Sequence, residues 1–358
     1  MITTPALVID RSRLEANVAR MAAAMDAAGV ALRPHFKTSK LIEVATLQVA
    51  AGAVGFTCST PEEVDALLTA GFTDLFWAHA PVGPKAELAA AFNERGRVAI
   101  GLDSVELAAP LGAAALARGV AVPVLIEVDT GLGRTGVAAS DALALAQAIA
   151  GIEGIVLDGV YMHEGQLAGL GGTREELRAA GAAAAESLVA VAEQVRAAGI
   201  PLSVVSVGST PGWDSAPLVE GVTEARPGTY VFSDANQLRL ESTTLEQCAL
   251  TVLTSIISTQ RENAAIIDAG IKAMSSDRSN RGNTFGLALT TDGELDRNLE
   301  FSVAYEEHGR LDGAHGFVVG DTVRILPNHA CGVVNMWSSV NVIDGSGAIE
   351  TWSPVARH

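Results

Sequence analysis

Cysteine is scarce. The 358 residues hold three, Cys58, Cys248 and Cys331, which are scattered and odd in number; they form no disulfide framework, at least one stays unpaired, and reduced thiols are expected. Basic residues are also few: 24 Lys and Arg against 41 Asp and Glu give a formal charge of −17. They form no cluster of the kind that neutralises a phosphate backbone, which argues against nucleic acid and anionic membranes as partners. An anionic ligand would need positive charge supplied locally. No uncharged apolar stretch reaches the roughly 18–20 residues of a membrane span, because Glu106, Arg118 and Glu127 interrupt the most apolar region. MITTPALVID carries no signal-peptide pattern, so a cytoplasmic location is expected. Internal repeats and low-complexity linkers are missing too.

What is present is apolar material. Hydrophobic residues make up 49% and charged residues 18%, with many Ala and Gly, which fits closely packed helices and a large core. As far as about residue 240, strand-like runs alternate with Ala-rich helical stretches: ALVI, VGFTC, LFWAH, RVAIGL, VPVLIEVD, LDGVYMH, LSVVSVGS and the segment ending at GTYVFSD. Such alternation is the pattern of repeated βα units, and seven or eight of them favour a closed barrel over an open sheet. Ser59-Thr60-Pro61-Glu62-Glu63 reads as a helix start, and Gly29, Gly71, Gly119 and Gly199 as helix stops. After about residue 245 the texture turns to β-branched, alternating segments such as LTVLTSIIST, AAIIDAG, DTVRILP and VNVID. The predicted fold is α/β: a (β/α)8 TIM barrel over residues 1–244 and a second, mostly β domain over residues 245–358, with residues 1–10 candidates to pair with the latter.

In a parallel barrel the reactive groups sit at the C-terminal ends of the strands. The first polar cluster in such a place is Arg33-Pro34-His35-Phe36-Lys37-Thr38-Ser39-Lys40, after the strand-like VALR. Desolvation there favours a neutral amine, available for a Schiff base, although spacing alone points rather to a surface lysine. Asp129-Thr130-Gly131-Leu132-Gly133-Arg134 closes VPVLIEV and reads on its own as a tight βα turn whose Arg caps a carbonyl or pairs with Asp129. His163, in Tyr161-Met162-His163-Glu164-Gly165-Gln166, ends another strand. Gly208-Ser209-Thr210 and Gly228-Thr229-Tyr230 supply turns at the last two strand ends, where barrels commonly hold phosphate. His329-Ala330-Cys331 follows DTVRIL; in an extended segment the imidazole and thiolate would point the same way, yet two ligands alone make a poor metal site.

Taken in order, RPHFKTSK, VDTGLGRTG, YMHEG, VGSTPG, EARPGTYVF and PNHACGVVN resemble the D-threonine aldolase and D-serine dehydratase family of fold-type III, alanine-racemase-like pyridoxal-phosphate enzymes, over nearly the whole chain. The resemblance implies Lys37 as the Schiff-base residue, with Arg134 and His163 beside the cofactor as further catalytic groups. It implies cofactor contacts from Tyr161, Gly208, Ser209, Thr210, Gly228, Thr229 and Tyr230. His329 and Cys331 become ligands of a divalent metal, Zn²⁺ by thiolate softness, with Mn²⁺ or Mg²⁺ open. A homodimer is implied as well, the β domain of one subunit closing the barrel mouth of its partner. The expected substrate is a β-hydroxy D-amino acid and the expected reaction retro-aldol cleavage to glycine and an aldehyde. Gln166 and Ser39, where many relatives have His, depart from the family pattern and motivate that preference over β-elimination. A non-catalytic pyridoxal-phosphate carrier and an amino-acid racemase are the other readings; the β domain and the His-x-Cys pair speak against the carrier, while a racemase also has a β domain but does not need the pair.

Overall fold

The computed structural model describes residues 2–290 and 293–357. The chain divides into two compact units, one formed by Met21–Lys37 and Ala45–Gly228, the other by the residues up to Arg20, Thr38–Val44 and everything from Thr229 onward.

In the first unit eight parallel strands neighbour one another in chain order: Ala31–Leu32, Phe56–Cys58, Asp74–Trp77, Arg97–Leu102, Val122–Asp129, Ile155–Tyr161, Val204–Val207 and Glu224–Ala225, the last pairing with the first. The seam between the first two strands is closed by Val54 N donating to Leu32 O and Thr57 N to Pro34 O, each at 2.9 Å. The sheet is therefore a barrel, as the alternating pattern predicts. Helices follow the strands with the local chemistry the sequence announces. Pro61–Thr69 is capped by Thr60, whose side chain accepts from Glu63 N, and Val105–Arg118 stops at Gly119 in the left-handed conformation, φ 67°.

Among the apolar side chains that fill the barrel, such as Phe76, Ala99 and Leu125, lies a buried ionic group. Arg33 Nε lies 2.6 Å from Glu224 Oε2 and Arg33 Nη1 lies 3.0 Å from Asp74 Oδ1. Both Arg33 and Glu224 side chains are only 7% exposed. Glu224 Oε1 in turn accepts from Ser206 Oγ at 2.7 Å. A buried pair of this kind holds because each member satisfies the other; either one alone would be an uncompensated charge.

The second unit is built on one nine-stranded sheet, in the order Glu300–Ala304, Gly309–Asp312, Ala264–Ile267, Leu250–Arg261, Ala6–Asp10, Val340–Ile343, Ile349–Trp352, with Thr322–Pro327 on Leu250–Arg261 and Gly286–Leu289 beyond it. Two strand readings are corrected here. ALVI, read in the βα series but with residues 1–10 also expected as partners of the β domain, takes the second place: Ala6–Asp10 is antiparallel to Leu250–Arg261 and parallel to Val340–Ile343. Ala6, Leu7, Val8 and Ile9 are all buried, so the unbroken apolar run marks a strand covered on both faces without saying in which sheet it lies. GTYVFSD is not a strand; Thr229–Val231 is a 3₁₀ turn, and the last barrel strand ends at Ala225. Pro227 and Gly228 account for the break, since proline cannot donate to a ladder. Among the described residues no helix is long and apolar enough to cross a membrane.

Replacing Arg33 with Met should cost about 3–5 kcal/mol, because it leaves Glu224 charged and buried. Chemical denaturation followed by circular dichroism measures this. The double change Arg33→Met with Glu224→Gln should recover part of the loss, and equal destabilisation by both proteins would show that the ionic pair is not the cause.

Candidate active site

Five barrel strands bring polar groups to their C-terminal ends: Lys37 in the 3₁₀ turn Phe36–Thr38, the turn Asp129 to Arg134, His163, Gly208 and Arg226. Lys37, Arg134 and Arg226 are electrostatically coupled to one another's neighbours. Burial, foremost, and then the charge of Lys37 hold His163 down to about 4, with Arg134 and Arg226 adding to the depression. His35 is pushed well below the ordinary histidine value by burial first, then by Lys37 and Arg226. Both rings are therefore neutral in a local field of three cations, within a chain of net charge −17. His163 Nδ1 lies 2.6 Å from Gly208 O; a carbonyl only accepts, so Nδ1 carries the proton and Nε2 is left as an acceptor.

The Gly208–Thr210 turn is organised by a residue to which the sequence reading gave no role. Glu164, its carboxyl pushed up by burial, accepts from Gly208 N at 3.1 Å and from Ser209 Oγ at 3.0 Å. Those two donors, expected to face an anion, are turned onto Glu164. Arg226 is buried, donates to Ser206 Oγ and Met162 O at 2.5 Å each, and stacks on Phe76 and Tyr161. The motif EARPGTYVF contains it, and it directly follows the short strand Glu224–Ala225, whose acidic residue left no apolar run to mark the strand end in sequence. Tyr161, expected beside a cofactor, is 2% exposed, and its hydroxyl donates to Glu127 at 3.1 Å. Burial and then Glu127 push its phenol well above the ordinary tyrosine value. Arg134 neither caps a carbonyl nor pairs with Asp129. The Asp129 carboxylate instead accepts from the amides of Gly131, Leu132 and Gly133, which hold it below its usual range, while Arg134 Nη2 faces Glu127 Oε1 at 3.7 Å.

His35 Nδ1 and Gln166 Oε1, both near these strand ends, are among the buried polar atoms with no hydrogen-bond partner. Gln166 spends its amide nitrogen on Thr130 O at 3.2 Å. Orphaned buried acceptors and donors are uncommon in a folded chain. Together with the cationic field they fit a bound anionic, polar ligand such as a phosphorylated cofactor.

In the second unit His329 caps the helix Ala330–Met336 and Cys331 lies in its first turn. The segment is not extended, so the pair converges through the geometry of a helix start rather than through strand alternation. His329 is pushed well above its usual value, chiefly by the negative sulfur of Cys331 and also by Asp234, whose Oδ2 lies 3.5 Å from Nδ1. Positive charge is favoured here, which is the condition a divalent cation needs. Cys331 Sγ also lies 3.1 Å from Thr38 Oγ1 and 3.9 Å from Thr229 Oγ1. Tyr230 and Ser39 are buried in the same unit. Among the described residues no group of three or more His, Cys, Asp or Glu gathers for a metal. An ion held by His329 and Cys331 would thus keep positions open to small molecules.

Comparison with known proteins follows the same division of the sequence. Residues 9–236 match the family of the alanine racemase N-terminal domain, and residues 249–343 match a serine dehydratase domain. D-threo-3-hydroxyaspartate dehydratase of Delftia sp. (strain HT23) is 38% identical over 98% of this chain and 97% of its own length. Its solved structure superposes with a TM-score of 0.93, covering 99% of this chain and 98% of that one. D-threonine aldolase of Arthrobacter sp. is 30% identical over 99% of this chain and 93% of its own. Solved variants of the dehydratase replace a histidine and, two positions on, a cysteine with alanine; the cysteine variant is in the metal-free form.

A ring-nitrogen NMR titration should find His163 protonated on Nδ1 alone, with a midpoint at about 4. The unfolded ring takes a proton near 6.5, so the contribution of His163 to stability is full above that pH and is lost as the pH falls towards the folded value. A midpoint at or above the ordinary one would refute the neutral assignment.

Proposed function

Because the chain belongs to the alanine racemase N-terminal domain family, joined in sequence to a serine dehydratase domain, we propose that it is a pyridoxal-phosphate- and divalent-metal-dependent lyase that removes water from β-hydroxy D-amino acids of the 3-hydroxyaspartate kind. The observation that carries this reading is the His329/Cys331 pair. It has the spacing of the histidine and cysteine replaced in the dehydratase variants, one of which is metal-free, and its electrostatics favour a cation.

When bound, pyridoxal phosphate supplies an electron sink for charge developing at the substrate Cα, and a divalent ion supplies a Lewis acid for the β-oxygen. Lys37 is the residue that would hold the cofactor by its aldehyde, and its amine, when free, would serve as the base for the Cα proton. His163 presents its unprotonated Nε2 to the ligand and, being neutral, adds no competing charge. Arg134 binds an anionic oxygen through its guanidinium. His329 and Cys331 would hold the ion, and Asp234, 3.5 Å from His329 Nδ1, would orient the ring. A second reading, retro-aldol cleavage to glycine and an aldehyde, is favoured by Gln166 and Ser39 and by the aldolase relative. It needs a base at the β-hydroxyl instead of at Cα. A homodimer belongs to the same proposal, and sedimentation showing a fully active monomer would count against it.

Incubation with D-threo-3-hydroxyaspartate, D-serine and D-threonine should give a 2-oxo acid and ammonia. Glycine and an aldehyde as the only products would replace elimination with aldol cleavage, and the opposite enantiomer would make the protein a racemase.

Chelation, His329→Ala and Cys331→Ala should each abolish this turnover while leaving the cofactor's absorbance band in place, and metal affinity should fall as the pH drops because the thiolate ligand must be deprotonated. Full activity in protein shown metal-free by elemental analysis would refute the metal role. Lys37→Ala should lose the borohydride-reducible link to the cofactor; a variant that keeps it excludes Lys37.

A further inference from the structure

Tyr161 crosses the barrel interior at a place cleared for it. A β-carbon on Gly101 would stand 2.4 Å from the Tyr161 hydroxyl oxygen, so residue 101 must be glycine for the phenol to lie there. The ring is held on both sides, edge-on to Phe76 with centroids 4.9 Å apart and beneath the Arg226 guanidinium at 5.2 Å. With the ring fixed, its hydroxyl has one partner in reach, Glu127 Oε2 at 3.1 Å. The phenol stays protonated across the working pH range and so remains a donor.

The other oxygen of that carboxylate, Oε1, faces Arg134 Nη2 at 3.7 Å. Glu127 is 12% exposed and Arg134 54% exposed. An ion pair between two mobile surface side chains contributes little, because both must be ordered to form it. Here one partner is already ordered, by the barrel wall and the phenol, and only the arginine has rotamers to lose. Arg134 also projects from a turn whose backbone is fixed by three amides on Asp129. Glu127 thus bears on the direction of the guanidinium, and the turn on its origin.

We propose that Glu127 is a positioning residue: anchored by Tyr161, it aims the Arg134 guanidinium at the anionic ligand of the barrel. The proposal rests on the reading that Arg134 binds an anionic oxygen of cofactor or substrate. It makes Tyr161, which the sequence places in a motif shared with cofactor-binding enzymes, act through Glu127 and Arg134 instead of by contact.

The test is a double-mutant cycle on the cofactor-loaded and cofactor-free protein. Glu127→Gln keeps the volume of the side chain and an oxygen that can accept from Tyr161 while removing the charge. It should weaken pyridoxal phosphate binding, read by protein fluorescence, or raise KM for the amino acid, by about tenfold, the scale typical of removing a group that orients a ligand-binding side chain. In the Arg134→Ala background the same change should alter neither quantity by more than about twofold, because its effect passes through Arg134. Tyr161→Phe should shift the same quantity in the same direction by less, and the melting temperature of the cofactor-free protein tells any loss of folding apart from loss of aim. Equal effects of Glu127→Gln with and without Arg134, or no effect where Arg134→Ala has one, overturn the proposal alone. No effect of Arg134→Ala overturns both the proposal and the role of Arg134 on which it rests.

Discussion

A guanidinium sealed inside a barrel constrains everything near it. Arg226 is almost wholly buried, so its N–H donors and its charge must be answered largely by the protein. Ser206 and the Met162 carbonyl take hydrogen bonds, and the faces of Phe76 and Tyr161 take the cation. Glu224 and Glu164 supply the negative field that offsets its desolvation. Each of these partners is then committed elsewhere: Glu224 to Arg33 and Ser206, Glu164 to the Gly208–Ser209 turn, Tyr161 to Glu127. The polar interior is one connected network, and the strand ends that carry Lys37, Arg134, His163 and Gly208 inherit their geometry from it.

Much of this was legible in the sequence and some was not, for identifiable reasons. Parallel strands buried on both faces read as continuous apolar runs, and seven of the eight barrel strands could be taken from RVAIGL, VPVLIEVD and their like. The same absence of alternation is why ALVI looked like one of them, since a run that is apolar on every residue does not say which sheet covers it. Lys37, Arg134 and His163 stood out because they follow such runs. Glu127, Glu164 and Glu224 did not, because a buried carboxylate looks in sequence like any surface acid until its partner, up to 191 positions away, is known. The His-Ala-Cys segment shows the opposite case. Its residues were readable, yet the assumption of an extended chain failed because His329 is the cap of a helix and not the end of a strand.

Histidine chemistry separates the two units. Near Lys37 the imidazoles of His35 and His163 are driven neutral by burial and by the positive charge around them, an environment that suits an anionic ligand. Beside Cys331 and Asp234 the imidazole of His329 is driven towards its charged form, which marks a place short of positive charge. These are opposite environments made from the same residue type, and each follows from the sign of the charges around it.

That opposition bears on which reaction the chain performs. Racemisation at Cα needs a proton removed and returned, for which an anion-binding barrel with a lysine suffices, and a cation-favouring pair elsewhere in the chain would have no task. Breaking a bond at Cβ is different: hydroxide is a poor leaving group, and a hydroxyl is a reluctant acid, so either outcome gains from a Lewis acid at the β-oxygen. A pair that supplies only two protein donors leaves coordination positions for that oxygen. In the proposed reading His329 and Cys331 serve chemistry at the β-hydroxyl, and the choice between water loss and carbon–carbon cleavage turns on whether the base acts at Cα or at the hydroxyl itself.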